Sequence, residues 1–216
     1  MKLYYSAGSC STSCHISLEE SGLKYEAIEV DWDNPSDPNI AVVTKLNPLG
    51  TLPIFITDEG KQLDQNVAIH TYIADRAPDK KLMPPAGTVE RAEALNWLAF
   101  VNSDLHKSIG ALFSLPAIAK DKNIQEVVRH YMVGRANEYL KYMDTRLEGR
   151  DYFMGQQFTP ADAYAFVVVG WTQWLDIPLT PFPNVQKHLV RVAMRPAVAK
   201  VLKAEGLITT QEPGNG

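Results

Sequence analysis

Cysteine is scarce in this chain: Cys10 and Cys14 are the only two among 216 residues. So few cysteines argue against a scaffold stapled by disulfides and are typical of a reducing cytosol, so we expect a cytoplasmic location. Their C-x-x-x-C spacing differs from the C-x-x-C of thioredoxin-type redox motifs and from the spacing of metal sites. We therefore predict that the protein binds no metal.

Long apolar runs, an excess of basic residues and internal repeats are also absent from the sequence. No apolar run is long enough to span a bilayer, and the first residues lack the basic and then apolar pattern of a signal peptide. The net charge of −4 gives no electrostatic footprint for nucleic acid. We therefore expect neither a membrane nor a nucleic acid as a partner.

The sequence does contain enough apolar residues, 45% of the total, for one or two domains with sizeable cores. Residues 1–77 follow the order strand, helix, strand, helix, strand, strand, helix, whereas from Thr88 onward strand signals give way to long helical stripes. We predict an α/β domain at 1–77, a linker at 78–88, an all-helical domain at 89–207 and a frayed tail at 208–216.

The first strand and helix carry the clearest chemical signature. Leu3–Tyr5 predicts a strand, the small residues after it predict a tight loop, and a helix is expected to run to Gly22. Candidate N-caps of this helix are Ser9, Ser11 and Thr12. Cys10 then stands at or just before a helix N-terminus, where N–H groups and the helix dipole stabilise a thiolate. Cys10 is therefore a candidate nucleophile or redox thiol, whereas Cys14 fits a small buried hydrophobe.

Two further loops are expected at the same end of the sheet as Cys10. The opening strand-helix-strand unit is expected to be parallel, and the strands of Phe55 and Leu63 are expected to form an antiparallel hairpin. The Leu52–Pro53 turn and the Asp64–Asn66 segment, which is expected to cap the next helix, would then lie near Cys10. Backbone amides and helix N-termini in such a place suit a ligand that carries a carboxylate.

A capping box marks the helical half of the chain. Thr159 is predicted as N-cap, Pro160 as the first helical residue and Asp162 as the acidic residue at N3. The segment up to Trp174 is almost wholly apolar, which predicts a buried helix at the centre of this domain. Loss of Asp162 is expected to cost about 0.5–2 kcal/mol. We therefore assign Thr159 and Asp162 to folding rather than to chemistry.

Together these stretches resemble the cytosolic glutathione transferases. The matching pieces are the opening strand, Cys10 loop and helix, Asn47–Pro53, Gln65–Ile73 and Thr159–Asp162. The segment Asp104–Phe113, which carries His106, is similar to the bacterial beta class. The resemblance implies an α/β thioredoxin-like N-terminal domain (βαβαββα) plus an all-α C-terminal helical bundle domain, which is the glutathione transferase fold. It also implies a homodimer.

The resemblance further implies roles for individual residues. Cys10 and His106 are the implied catalytic pair, because Cys10 lies where other classes place a hydroxyl beside the sulfur of glutathione. The backbone of Leu52 is implied to pair with the cysteinyl part of glutathione, and Asp104 of the second subunit to face its γ-glutamyl amine. The implied glutathione site consists of Tyr5, Cys10, Leu52, a cis-Pro53, Gln65, Asn66, Asp104 and His106.

Three positions depart from the family pattern. Gln65 and Asn66 are implied to hold the γ-glutamyl carboxylate, but Asn66 stands where serine is usual. Ala99 stands where the family often has asparagine, and Pro35 stands where a lysine often meets the glycyl carboxylate. The candidates to replace that lysine are Lys45 and Lys107. These departures bear on how strongly glutathione, the expected co-substrate, is bound.

Three functions are open at this stage. The first is a detoxifying conjugation of the glutathione thiolate to hydrophobic electrophiles, with Cys10 able to form a mixed disulfide with glutathione. The second is a glutathione-dependent reductase of disulfides or peroxides. The third is a non-enzymatic ligand-binding or protein-interaction module of the same fold. For the first, an apolar pocket is expected between the domains, and its candidate walls, which fit a core equally well, are Ile109, Leu112, Phe113 and Trp171.

Overall fold

The computed structural model describes residues 1–208, so Thr209–Gly216 of the predicted tail lie outside the described residues. Contacts divide the chain into two compact units, which we call the first unit and the second unit. The first unit is Met1–Lys80 together with the residues from Ala193 onward, and the second unit is Lys81–Val192. The predicted domain limits stay predictions.

The elements of the first unit are four strands and four helices within the described residues. The strands are β1 (Lys2–Tyr5), β2 (Glu26–Glu29), β3 (Ile54–Ile56) and β4 (Gln62–Leu63), and the first three helices are α1 (Ser11–Ser21), α2 (Pro38–Leu46) and α3 (Asn66–Arg76). The second unit holds α4 (Val89–Phe100), α5 (His106–Gly110), α6 (Leu115–Ile118), α7 (Lys122–Arg146), α8 (Pro160–Gly170) and nearly all of α9 (Pro183–Ala193). The fourth helix of the first unit is α10 (Pro196–Ala204).

The four strands form one sheet in the order β2-β1-β3-β4. β1 and β2 are parallel, whereas β3 runs antiparallel to both β1 and β4, with Phe55 opposite Leu63. These pairings confirm the predicted parallel opening, the antiparallel hairpin and the thioredoxin-like order of elements. Successive side chains of a strand face opposite sides, so two cores form. The core with α1 and α3 comprises Leu3, Tyr5, Cys14, Leu18, Phe55, Ile69 and Ile73, and the core with α2 comprises Val30, Val43 and Ile54.

The ends of α1 follow the sequence in one respect and depart from it in another. The helix ends at Gly22, whose φ of 66° lies in the left-handed region that glycine adopts readily. The N-cap residue is Cys10, which makes no side-chain cap bond, rather than one of the predicted serines or threonine. Ser9 nevertheless accepts the N–H of Ser11, the first helical residue, at 3.2 Å. The hydroxyl of Ser11 instead accepts the backbone N–H of Ser6 in the preceding turn.

The apolar stripe between Thr88 and Pro116 predicts one long helix, and the second unit departs from that prediction. α4 is followed by a π-helical turn at Val101–Leu105 and then by the short helix α5, which begins at His106. Such π-helical turns are rare and occur often at functional sites. Pro116 does not end a helix, because it lies in the first turn of α6, where its missing N–H costs no hydrogen bond.

α8 is buried along nearly all its length, as its apolar sequence predicts. One oxygen of Asp162 accepts the backbone N–H of Thr159 at 2.8 Å, and the other accepts that of Phe153 at 3.0 Å and lies 2.9 Å from Nε2 of His188. The carboxylate therefore ties α8 to the loop before it and to α9. Across residues 1–208, no helix combines the length and apolar character needed to cross a bilayer.

Candidate active site

The turn between β1 and α1 presents Cys10 at the amino end of α1. Cys10 is the N-cap residue and is partly exposed. Its thiol donates to the carbonyl oxygen of Leu52, with Sγ 3.5 Å from that oxygen. The N–H groups of Ser11, Thr12 and Ser13 already donate to Ser9 and Cys10, so it is the helix dipole that favours a thiolate at this end. The structure therefore brings Cys10 and Leu52 together beside a site that favours negative sulfur.

Local hydrogen bonds hold the backbone of the Cys10 turn. Gly8 has a φ of 72°, a left-handed conformation that side chains disfavour. The hydroxyl of Ser11 accepts the backbone N–H of Ser6 at 3.0 Å and lies 2.6 Å from the hydroxyl of Ser9. Ser9 and Ser11 therefore fix the turn, and Ser9 also accepts the first N–H of α1 at 3.2 Å.

Glu205 also holds this turn, and sequence reasoning missed it. Its carboxylate is fully buried and accepts the N–H of Gly8 at 3.1 Å and the hydroxyl of Thr12 at 2.7 Å. It also lies 2.8 Å from Nδ1 of His15. Gly8 precedes Cys10 and Thr12 follows it, so one carboxylate holds the chain on both sides of Cys10. Glu205 and Gly8 are 197 positions apart, so no local spacing in the sequence signals this contact.

The start of α3 is the second part of the predicted site. The Leu52–Pro53 peptide bond is cis, as the resemblance implied. Gln65 is the exposed N-cap of α3 and makes no side-chain cap bond, so the cap predicted at this helix is not formed by its N-cap residue. Asn66, the first residue of α3, is buried, and its Oδ1 lies 3.1 Å from Sγ of Cys14.

Tyr5, another predicted site residue, lies in the core between the sheet, α1 and α3. Burial raises its pKa to about 12, with smaller contributions from the carboxylates of Glu29 and Glu205. Tyr5 therefore remains an uncharged phenol near neutral pH. Its burial favours a role in packing over direct contact with a ligand.

A buried histidine that was not predicted lies beneath Cys10. The hydroxyl of Ser13 donates to the carbonyl oxygen of Cys10 at 2.6 Å and lies 3.0 Å from Nε2 of His70. The Nδ1 atom of His70 lies 2.9 Å from the hydroxyl of Ser17. Burial lowers the pKa of His70 to about 3, so its ring is neutral. The available signal was the position of His70 next to Ile69 on the apolar face of α3.

In the second unit, Tyr164 of α8 holds His106. The Nδ1 atom of His106 lies 2.5 Å from the hydroxyl of Tyr164, which in turn donates to Oδ1 of Asn102 at 3.3 Å. A hydroxyl that donates to Asn102 must accept from His106, so Nδ1 carries the proton and Nε2 the lone pair. Burial lowers the pKa of His106 to about 4, with a smaller contribution from Lys107. His106 is therefore neutral near pH 7.

The imidazole of His106 is also confined by its neighbours. A Cβ atom added to Gly110 would lie 2.9 Å from Cδ2 of His106, so no other residue fits there without a shift. The ring of Trp171 lies 5.0 Å from the imidazole and packs in turn against Phe113 at 5.9 Å, both measured between ring centroids. Sequence reasoning identified neither Gly110 nor Tyr164. Gly110 acts by leaving room for a side chain one turn earlier in α5, and Tyr164 acts through a contact made from α8.

The predicted walls of an apolar pocket divide by their exposure. Ile109 is fully buried, Leu112 and Trp171 are 4% and 6% exposed, and Phe113 is 48% exposed. Ile109 and Leu112 therefore serve the helical core. Of these four residues, Phe113, which packs against Trp171, is the one with substantial exposed apolar surface.

Asp104 lies on the π-helical turn and lines a cavity of about 590 Å³. The cavity lies between α4 and α7, and its lining residues are Asn96, Ala99, Phe100, Ser103, Asp104, Glu138, Tyr139 and Tyr142. The hydroxyl of Ser103 donates to Oδ2 of Asp104 at 2.9 Å. Ala99, one of the departures from the family pattern, therefore lies in the same cavity as Asp104.

The predicted site residues fall into two groups. The first unit holds Tyr5, Cys10, Leu52, Pro53, Gln65 and Asn66, and the second unit holds Asp104, His106, Ile109, Leu112, Phe113 and Trp171. Pro35 and Lys45 are exposed in the first unit and Lys107 in the second. In the part of the chain that the structure describes, no cluster of three or more histidine, cysteine, aspartate or glutamate side chains could hold a metal ion.

Comparison with known proteins identifies the family. The family model for the glutathione S-transferase N-terminal domain matches residues 1–75, and that for the C-terminal domain matches residues 105–196. The chain is 32% identical to glutathione S-transferase GstA of Escherichia coli O157:H7, over 96% of this chain and all of that relative.

Two solved structures are similar to this chain over 96% of its length and the whole of theirs. One is a sphingomonad glutathione S-transferase complexed with glutathione, with 34% identity and a TM-score of 0.84. The other is the beta-class glutathione S-transferase of Sphingomonas chungbukensis, with 34% identity and a TM-score of 0.86. The resemblance stated from the sequence is thereby confirmed, and the chain is an enzyme of the glutathione S-transferase family.

Proposed function

We propose that the protein is a beta-class enzyme that conjugates the thiolate of glutathione to hydrophobic electrophiles, a detoxifying reaction. The observation that carries this proposal is the position of Cys10, a partly exposed thiol at the N-cap of α1 and 3.5 Å from the carbonyl oxygen of Leu52. The dipole of α1, which favours the thiolate of Cys10, would equally favour that of a bound glutathione. The similar sphingomonad enzyme was solved with glutathione.

The peptide part of glutathione would be held by three elements. The backbone of Leu52 pairs with the cysteinyl unit, and Gln65 with Asn66 at the start of α3 receives the γ-glutamyl carboxylate. Asp104 from a second copy of this chain faces the γ-glutamyl amine, so the proposed enzyme is a homodimer. Both described cysteines are free, which supports a reducing cytoplasm as its location.

His106 would act as a proton acceptor in this scheme. Its ring is neutral near pH 7, and Tyr164 leaves the lone pair on Nε2. A neutral imidazole can take the proton of the glutathione thiol, and the step leaves an imidazolium beside the thiolate. The resulting thiolate attacks the electrophilic carbon and displaces its leaving group, while the start of α1 stabilises the negative sulfur.

Cys10 itself favours a second candidate function. A cysteine thiolate can attack a glutathionylated disulfide, forming a Cys10–glutathione disulfide and releasing the other thiol as its thiolate. A glutathione thiolate then attacks this mixed disulfide, releases oxidised glutathione and restores the Cys10 thiolate. Each cycle oxidises one free glutathione, whose sulfur pairs with the glutathionyl group of the substrate to form oxidised glutathione.

Two substrates and two variants separate these functions. The wild type, Cys10→Ala and Cys10→Ser are assayed with a chlorinated aromatic electrophile and with a glutathionyl mixed disulfide. We expect both variants to lose the reductase reaction completely, and Cys10→Ser, which keeps a hydroxyl donor, to retain more conjugation than Cys10→Ala. Equal loss of both reactions in both variants would contradict the divided role of Cys10. A wild type that binds glutathione resin but conjugates nothing would refute the transferase proposal.

A further inference from the structure

A buried polar cluster joins α1 to α3 beneath the Cys10 turn. Its members are Ser13, Cys14 and Ser17 of α1 and Asn66 and His70 of α3, all of them 6% exposed or less. Buried polar groups carry a cost unless they are hydrogen-bonded. The protons in this cluster can therefore be assigned from the directions of its bonds.

The carbonyl oxygen of Cys10 can only accept a hydrogen bond. Ser13 donates its hydroxyl proton to that oxygen at 2.6 Å, so it must accept from Nε2 of His70 at 3.0 Å. The opposite nitrogen, Nδ1, then accepts from the hydroxyl of Ser17 at 2.9 Å. The neutral ring of His70 satisfies both contacts at once.

Cys14 is left with one strong partner. Its Sγ lies 3.8 Å from Nε2 of His70, whose proton is directed to Ser13, and 3.1 Å from Oδ1 of Asn66. Complete burial raises the pKa of Cys14 well above its usual value, so the sulfur keeps its proton. A protonated thiol is a donor, and it donates to the amide oxygen of Asn66.

This bond decides which way the Asn66 amide faces. With Oδ1 turned to Cys14 in the core, the NH₂ group on the other branch of the planar amide faces away from Cys14. Asn66 is the first residue of α3, where backbone N–H groups and the helix dipole already favour an anion. A reversed amide would bring its NH₂ group towards Cys14, whose sulfur is a weak acceptor.

We propose that Cys14 is a positioning residue that orients Asn66 to donate its amide N–H groups to the γ-glutamyl carboxylate of glutathione. The inference rests on the proposed function, because it specifies how glutathione is recognised at α3. Asn66 then takes the role of the serine that is usual in the family, because Cys14 of α1 holds its amide in the orientation that donates to the ligand. Cys14 acts on affinity for a carboxylate and takes no part in the reaction.

The test measures binding by titration calorimetry for two ligands. One is glutathione, and the other is 4-aminobutyryl-cysteinylglycine, which lacks only the γ-glutamyl α-carboxylate. Cys14→Ala removes the donor, and we expect it to weaken glutathione binding about fivefold, as loss of one hydrogen bond would, with no change for the second ligand. Cys14→Ser restores a donor and should recover part of the affinity. Ser17→Ala, a control in the same cluster whose hydroxyl bonds to His70, should leave the preference between the two ligands unchanged.

A double-mutant cycle isolates the pair. In an Asn66→Ala background, Cys14→Ala should have no further effect on glutathione binding. Asn66→Asp, which keeps an oxygen for the thiol but lacks the amide donors, should lose glutathione selectively while remaining folded. Equal weakening of both ligands by Cys14→Ala, or a full effect in the Asn66→Ala background, would overturn the inference. A wild type that does not bind glutathione would instead refute the proposed function, and with it this inference.

Discussion

The surroundings of Cys10 are polar and depend on residues distant in sequence, whereas those of His106 are aromatic and depend on the close approach of helices. Near Cys10, Glu205 accepts a hydrogen bond from Gly8 of the turn, although the two residues are far apart in the sequence. The buried polar cluster that contains His70 lies beneath the same turn. The imidazole of His106 packs against the rings of Tyr164 and Trp171. It fits there because position 110 is glycine and carries no Cβ. A reactive thiol needs donors and fixed dipoles, whereas a neutral base needs desolvation and one directed hydrogen bond.

The largest effect is expected where the polar region is broken. Glu205→Ala should lower the free energy of unfolding by about 3–5 kcal/mol, because it strips a buried carboxylate from three partners. Glu205→Gln keeps an acceptor and should cost less. Urea unfolding measures both, with Glu126→Ala on the exposed surface of α7 as the control. Similar losses for Glu205→Ala and Glu126→Ala would show that the carboxylate does not hold the turn.

The next effect concerns a feature that both regions share, a histidine kept neutral by burial. The pKa values of His70 and His106, about 3 and about 4, lie below the unfolded value of about 6.5. The unfolded chain therefore binds more protons between about pH 6.5 and pH 4, so stability present at pH 7 is lost as the pH falls through this range.

Each histidine should contribute about 2 kcal/mol to the loss of stability between pH 7 and pH 5. We expect His70→Gln and His106→Gln each to reduce that loss, measured by urea unfolding at the two pH values. His130→Gln, at an exposed position of α7, is the control. A pH dependence that neither variant alters would mean that both imidazoles are protonated as readily in the folded protein as in the unfolded chain.

A methyl group added at position 110 tests the aromatic surroundings of His106. Gly110→Ala places a Cβ 2.9 Å from the His106 ring, so we expect the imidazole to shift and the conjugation rate to fall about tenfold. Gly134→Ala is the matched control, because no atom lies within 4 Å of the added Cβ in α7. The control should be stabilised by about 0.5–1 kcal/mol as a helix position. Equal rates for the two variants would remove His106 from the proposed chemistry.

The smallest effect is expected for the single hydrogen bond that sets the His106 tautomer. Tyr164→Phe removes the hydroxyl between His106 and Asn102 and should cost about 1 kcal/mol of stability. It should also change the pH profile of the conjugation rate, because the proton is then free to occupy either ring nitrogen. Tyr131→Phe, exposed on α7, is the control. An unchanged profile would show that Tyr164 only packs.

The sequence predicts the fold where the signal is local and misses the site where it is not. The order of strands and helices, the pairing of Phe55 with Leu63 and the end of α1 at Gly22 follow from periodicity and glycine. The single helix predicted across His106 is wrong, because the apolar stripe continues through a π-helical turn that changes the phase of the helix by one residue. An unbroken stripe gives no sign of such a turn.

The candidate site shows the same division. The position of Cys10 follows from the order of strand, loop and helix alone. Its anchor Glu205 is distant in the chain, and the Cys14–Asn66 bond depends on how two helices face each other. Residues that act directly on a ligand carry recognisable chemistry, whereas the residues that orient them are ordinary core positions until the packing is known.

The most direct test of the account is the rate of Cys10 alkylation by iodoacetamide as a function of pH, with the modified residue located by tandem mass spectrometry. The account predicts that Cys10 of the folded protein reacts with an apparent pKa below the usual value of about 8.5, while buried Cys14 stays unmodified. An apparent pKa at or above that value, or reaction of Cys14 as fast as Cys10, would contradict it.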